Sequence, residues 1–182
     1  MKKNMIWSVL LLLFTLACGT TQNIAESEIK NGESPISNEQ VLSAWDRMTG
    51  MVVESTKKMP ADHFEFSPID GLATYGDLVN HTAGANYLFA ATVKLERPER
   101  TEIDTGSKKA VIESLEASFK FIRDGIVGLS DEDLVEEIEW FGSKMSRLNA
   151  ILTMTDHLQR EHGKNITYLR LKGVAPERSA GW

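Results

Sequence analysis

Residues 143–173 read SKMSRLNAILTMTDHLQREHGKNITYLRLKG, the longest uninterrupted helical pattern in the chain. Ala150, Met154, His157, Glu161 and Tyr168 fall on one side when positions are spaced by about 100° per residue. Gly173 and then Pro176 close the pattern, so it predicts a helix over roughly Ser143 to Lys172. Three further segments carry the same period. Ser37 and Gln40 have capping-box spacing, and Val41, Trp45, Met48, Val52 and Met59 follow before Pro60. Thr74 and Asp77 open a second helix, with Leu78, His81, Ala85, Leu88 and Thr92 in one stripe and Phe89 beside it, closed at Arg97-Pro98. Ser107 starts a third, in which Val111, Leu115, Phe119, Ile122, Ile126 and Leu129 recur. Ser130 to Asp133 reads as the start of a short helical turn. Ile138, Trp140 and Phe141 are expected to cover one end of the core, and no segment alternates with period two for long enough to read as a strand. Four amphipathic helices in one domain predict an all-α four-helix bundle. The connectors at 61–71 and 99–106 are long enough to permit crossovers between non-adjacent helices.

Ahead of the bundle, Lys2 and Lys3 precede an apolar run from Met5 to Leu16. That run is shorter than the ~20 residues of a membrane span and fits the core of an export signal. It ends in Leu16-Ala17-Cys18-Gly19, the pattern of a bacterial lipobox. The expected organisation is a lipoprotein signal peptide over residues 1–17, a polar flexible tether over 18–36 and the bundle over 37–182. Acyl chains on Cys18 would make the membrane a partner, and Gly19 in place of Asp points to the outer membrane. Cys18 is the single cysteine, so neither a disulfide nor a thiolate zinc site is available. The formal net charge of −6, with no concentrated basic face, argues against nucleic acid as a partner.

Chemistry concentrates on three residues. His157 and Glu161 are one helical turn apart, so both can point at one spot between helices. His81, from a facing helix, would complete a three-donor set of the kind that bundles use for metals. Taken singly, a histidine on an apolar face is more often a hydrogen-bonded core residue, and His-x-x-x-Glu occurs on many solvated helices. His63 lies in a connector and is expected at the surface, and the acidic run from Asp131 to Glu139 reads as a solvated face.

Two stretches resemble a known family. Thr74-Tyr75-Gly76-Asp77-Leu78-Val79-Asn80-His81 is similar to the second-helix motif of the DinB/YfiT-like proteins, and residues 156–174 to their last-helix motif. The resemblance covers about residues 37 to 176. It implies a four-helix bundle, in many relatives holding a divalent cation through three histidines, and in some a thiol-dependent transferase or isomerase. Registered on Gly163, Tyr168 and Arg170, the family's second histidine of the last helix is Glu161 here, and His162 is displaced by one residue. Three outcomes stay open: Glu161 is the third ligand, a helix distortion brings in His162, or the site is degenerate. The implied cofactor is one divalent metal among zinc, nickel, iron and manganese. The implied partner is a small-molecule or thiol substrate, with a homodimer open. The resemblance fits a metal-dependent transferase or hydrolase, and the alternative is a metal-free binding or scaffold bundle.

If Cys18 is the anchor, Cys18→Ser leaves an unprocessed precursor of higher mass that incorporates no labelled palmitate. Acylation of that variant would exclude the lipobox reading.

Overall fold

The computed structural model describes residues 36–176. The expected export signal, Cys18 and the expected tether as far as residue 35 lie outside the described residues. Four helices of the expected pattern form: α1 (Asn38–Lys58), α2 (Tyr75–Leu88), α3 (Lys108–Val127) and α5 (Arg147–Leu171), with a short α4 (Asp131–Val135) between the last two. Each begins where a hydroxyl can satisfy an otherwise unmet backbone N–H. Ser37 and Ser130 form capping boxes with Gln40 and Asp133, while Thr74, Ser107 and Ser146 cap α2, α3 and α5.

Round the bundle the order is α1, α3, α2, α5 and back to α1. Helices consecutive in sequence, α1 and α2, therefore sit across a diagonal, as do α3 and α5. The connector after α1 crosses between the first pair, with its Phe64 packed edge to face at 5.1 Å on Tyr75, the first residue of α2. The core is built from the expected stripes: Trp45, Val52 and Met59 from α1 and its end, Val111, Leu115, Ile122 and Ile126 from α3, and Ile151, Met154, Leu158 and Leu169 from α5.

One polar chain runs through this core. The Tyr75 hydroxyl donates to Asn165 Oδ1 at 3.1 Å, the Asn165 amide donates to Thr56 Oγ1 at 2.9 Å, and Thr56 returns to the Val52 carbonyl. It links α2, α5 and α1, and burial pushes the Tyr75 phenol above its ordinary pKa. At Gly76 the backbone of the 99–106 loop presses on α2: a Cβ there would stand 1.8 Å from the Thr105 carbonyl oxygen.

Two expectations need correction. Residues 137–146 form an antiparallel hairpin, β1 (Glu137–Trp140) and β2 (Ser143–Ser146), pairing Ile138 with Met145 and Trp140 with Ser143. The alternation Glu-Ile-Glu-Trp turns Ile138 and Trp140 toward the bundle and leaves the glutamates outside. Phe141, expected to cover the core, stands in the hairpin turn and is 72% exposed. The last helix accordingly starts at Arg147, not Ser143. The second correction concerns α2. Its helix stops at Leu88, followed by a 3₁₀ turn over Ala90–Val93, and its buried face runs through Leu78, Val79, Thr82, Ala83 and Asn86. His81 and Leu88 lie outside that face and are exposed.

The acidic run after α3 is tied down as well as solvated. Lys94 pairs with Asp133 and Glu136, and Glu136 accepts from Arg147 at 2.7 Å. Arg147, only 4% exposed, also donates to the carbonyls of Ala91 and Thr92. It thus fastens the start of α5 to the 3₁₀ turn after α2. The hydrogen bond from Arg147 is the first cause holding the Glu136 carboxyl below the usual carboxylate range.

Arg147→Met should destabilise the protein by about 2–4 kcal/mol at neutral pH, because two carbonyls lose their donor. A carboxyl with a lowered folded pKa stabilises above its ordinary pKa and loses that contribution as pH falls through the folded value. The deficit should therefore shrink in acid. Urea melts of both proteins at pH 7 and pH 3 check it, and an equal deficit at both would remove Glu136 from the account.

Candidate metal centre

The α2–α5 adjacency decides the site. His81 on α2 and His157 on α5 face each other with ring centroids 5.6 Å apart and planes at 69°. Glu161 lies one turn beyond His157. One ligand atom from each of His81, His157 and Glu161 falls within 4.8 Å of the other two. The trio grades from solvent to core: His81 is exposed, His157 half-buried, and Glu161 buried at 4%.

Burial sets the electrostatics. Desolvation is the first cause lowering the His157 pKa, the Glu161 charge opposes it, and His81, Arg160 and Lys164 add to it. The ring is thereby favoured in its neutral form, the one that offers a lone pair. His157 Nε2 and Glu161 Oε2 are buried without a hydrogen-bond partner in the protein. Unmet buried polar atoms are uncommon in folded proteins and need an explanation. Here two fall in one cluster. A nitrogen lone pair and a carboxylate oxygen, with an imidazole alongside, are the donor chemistry of a divalent cation. The residues present therefore fit such an ion.

His162, the alternative third donor, turns the other way. It is buried against α1, with Nε2 3.1 Å from the Ser55 hydroxyl. Five residues from His157 on a regular helix, it has no way to the trio without breaking α5. His63 is partly buried beside Asp62. Tyr168 is buried, but its hydroxyl donates to the Ala73 carbonyl at 2.8 Å. Arg170 is exposed.

Two features escaped the sequence reading. Lys164 donates to Glu161 Oε1 at 2.7 Å, leaving Oε2 as the free donor. Its spacing of three residues from Glu161 is a common helix-pair spacing and carried no special signal. Phe89 sets its ring 5.9 Å from that of His157 and stacks on Trp140 at 5.2 Å. That contact depends on the hairpin, which was not expected.

Comparisons with known proteins agree with this fold. A sequence model described as the DinB superfamily matches residues 44–163. A DinB-like protein from Bacillus cereus superposes with a TM-score of 0.70 at 17% identity, over 78% of this chain and 96% of that one. A DinB-like protein from Bacillus subtilis gives 0.62 at 20% identity, over 74% and 92%. A conserved protein from Enterococcus faecalis gives 0.56 at 17% identity, over 73% and 95%. At these identities the solved structures speak to the fold alone. No curated protein matches.

Lys164→Met should cost on the order of 1–2 kcal/mol in metal-free protein, because it strips the cation from a buried carboxylate. Adding Glu161→Gln in that background should recover most of the loss, since the charge is then gone. Chemical denaturation of the four proteins of this cycle checks it, and additive effects would mean the two side chains do not interact.

Proposed function

The chain belongs to the DinB superfamily, and on that footing we propose that it is an envelope lipoprotein whose bundle binds one divalent metal through His81, His157 and Glu161. The single observation that carries the metal reading is that two residues with unmet buried atoms, His157 at Nε2 and Glu161 at Oε2, belong to a trio whose ligand atoms converge with one from His81. Three protein donors leave coordination positions open to water or to a substrate. Bound there, the metal would lower the pKa of a coordinated thiol or water, the chemistry of a metal-dependent transferase or hydrolase. The chain's own residues divide the work. His157 and Glu161 hold fixed positions on α5, Lys164 orients Glu161 through Oε1, and exposed His81 stands where a ligand enters. The leader ending in Leu16-Ala17-Cys18-Gly19 supports anchoring through Cys18 at the outer membrane.

One observation favours the metal-free reading, a binding or scaffold bundle. Glu161 already has a cation in Lys164, so the charge of the carboxylate is met without a metal. It does not account for His157 Nε2.

Two histidines and one carboxylate form the donor set associated with iron(II), whereas three imidazoles favour zinc, nickel or copper. The site is therefore expected to take iron(II) or manganese(II) more readily than three-histidine relatives do, and Glu161→His should return the preference toward zinc or nickel. Mass-spectrometric metal analysis of untagged protein should find about one divalent ion per chain. A chelator should lower the melting temperature, since an ion at about 100 times its Kd stabilises by about 2.7 kcal/mol. His81→Ala should abolish both effects while moving metal-free stability by no more than about 0.5 kcal/mol, because the side chain is exposed. A wild-type melting temperature indifferent to chelator would favour the scaffold.

A further inference from the structure

A row of aromatic rings leads from the trio to the surface. Phe89 lies against His157, and Trp140 stacks on Phe89 at 5.2 Å with planes 22° apart. Phe141 stands edge-on to Trp140 at 4.8 Å and to Phe89 at 6.3 Å. Among the described residues Phe141 is the most exposed large hydrophobic, and Leu88, seven residues beyond His81 on α2, is exposed close by in sequence to Phe89.

Phe141 is also in an awkward conformation. It and Gly142 form the two-residue turn of the hairpin, with φ of +44° and +80°. Turns with both central residues at positive φ favour Asn-Gly or Asp-Gly, and a bulky residue at the first position is an outlier. The exposed ring touches only Trp140 and Phe89 among the aromatic rings and lies outside the core. A strained, exposed aromatic beside a donor cluster is a reason to look for a ligand.

On the metal reading of the trio, we propose that Phe89, Trp140 and Phe141 form the substrate wall of that site, and that its ligand is a small molecule bearing a planar apolar group beside an anionic metal-binding head. The head would take the open positions of a metal held by the trio, with Lys164 adding positive charge beside Glu161, and the planar group would lie along the rings. A protein partner fits less well. Specific interfaces need about 800 Å² on each side, far more than three rings and a leucine present.

The test uses two ligands with one metal-binding head, acetohydroxamate and benzohydroxamate, titrated calorimetrically into zinc-loaded full chain. Wild type should bind benzohydroxamate about tenfold more tightly, the scale of one good aromatic contact. Phe141→Asn should remove most of that margin and leave acetohydroxamate affinity unchanged. It should also raise the melting temperature, because Asn-Gly suits the turn, so loss of binding cannot be ascribed to unfolding. Equal affinities in wild type, or a margin that survives in Phe141→Asn, would overturn the wall while leaving the metal site standing. If the protein takes up no zinc, the metal reading falls and the wall with it; if zinc-loaded protein binds neither hydroxamate, the wall and its metal-binding head fall while the metal site stands. Concentration-dependent dimers abolished by Phe141→Asn, without a hydroxamate margin, would assign the rings to a second copy of the chain and also overturn the proposal.

Discussion

Burying a carboxylate is costly unless its oxygens are met, and Glu161 is buried with Lys164 on one oxygen and no protein donor on the other. A lysine placed to satisfy one oxygen leaves the second as a single, oriented donor. His157, a turn earlier, is in the same condition on a softer atom. The two share one helix face, so whatever meets one is positioned to meet both. His81 is different in kind. It is exposed and carries no burial cost of its own, and it supplies a donor from another helix at the solvent end of the trio.

That partnership between helices follows from the order of the bundle. With α1 and α2 on one diagonal, α2 is free to lie beside α5, and only then does His81 reach His157. The connector between α1 and α2 holds this arrangement through local contacts. Gly76 donates to the Phe64 carbonyl at 2.9 Å, and Tyr75 packs on Phe64. Lacking a Cβ, Gly76 also lets the Thr105 backbone pack against α2 at a distance that no side chain would allow.

The helices were legible because their signals are local. Period 3.6 and a hydroxyl at each start are written within a few residues, and Ser37, Thr74, Ser107 and Ser130 all cap where they were expected. The pairing of His157 with Glu161 was legible for the same reason. The hairpin was not, because Glu-Ile-Glu-Trp alternates for only four residues and its turn is Phe-Gly. The exposure of His81 could not be read either. Its stripe is apolar in sequence, yet the core takes the neighbouring face of α2, a choice made by α3 and α5. Lys164 gave no sign, since a lysine three residues from a glutamate is ordinary on a solvated helix.

The buried chain from Tyr75 through Asn165 to Thr56 has a consequence for how the helices can slide. Apolar faces alone tolerate a shift of one turn, because large side chains recur at about that interval. Hydrogen bonds do not: moving α5 by one turn, about 5.4 Å, would part Asn165 from both partners and strand its side-chain amide in the core. The same shift would carry His157 past His81 by roughly the present separation of their rings. A polar link at one level of the bundle therefore acts as a detent for the donor geometry at another, selecting one register among several that packing by itself would accept.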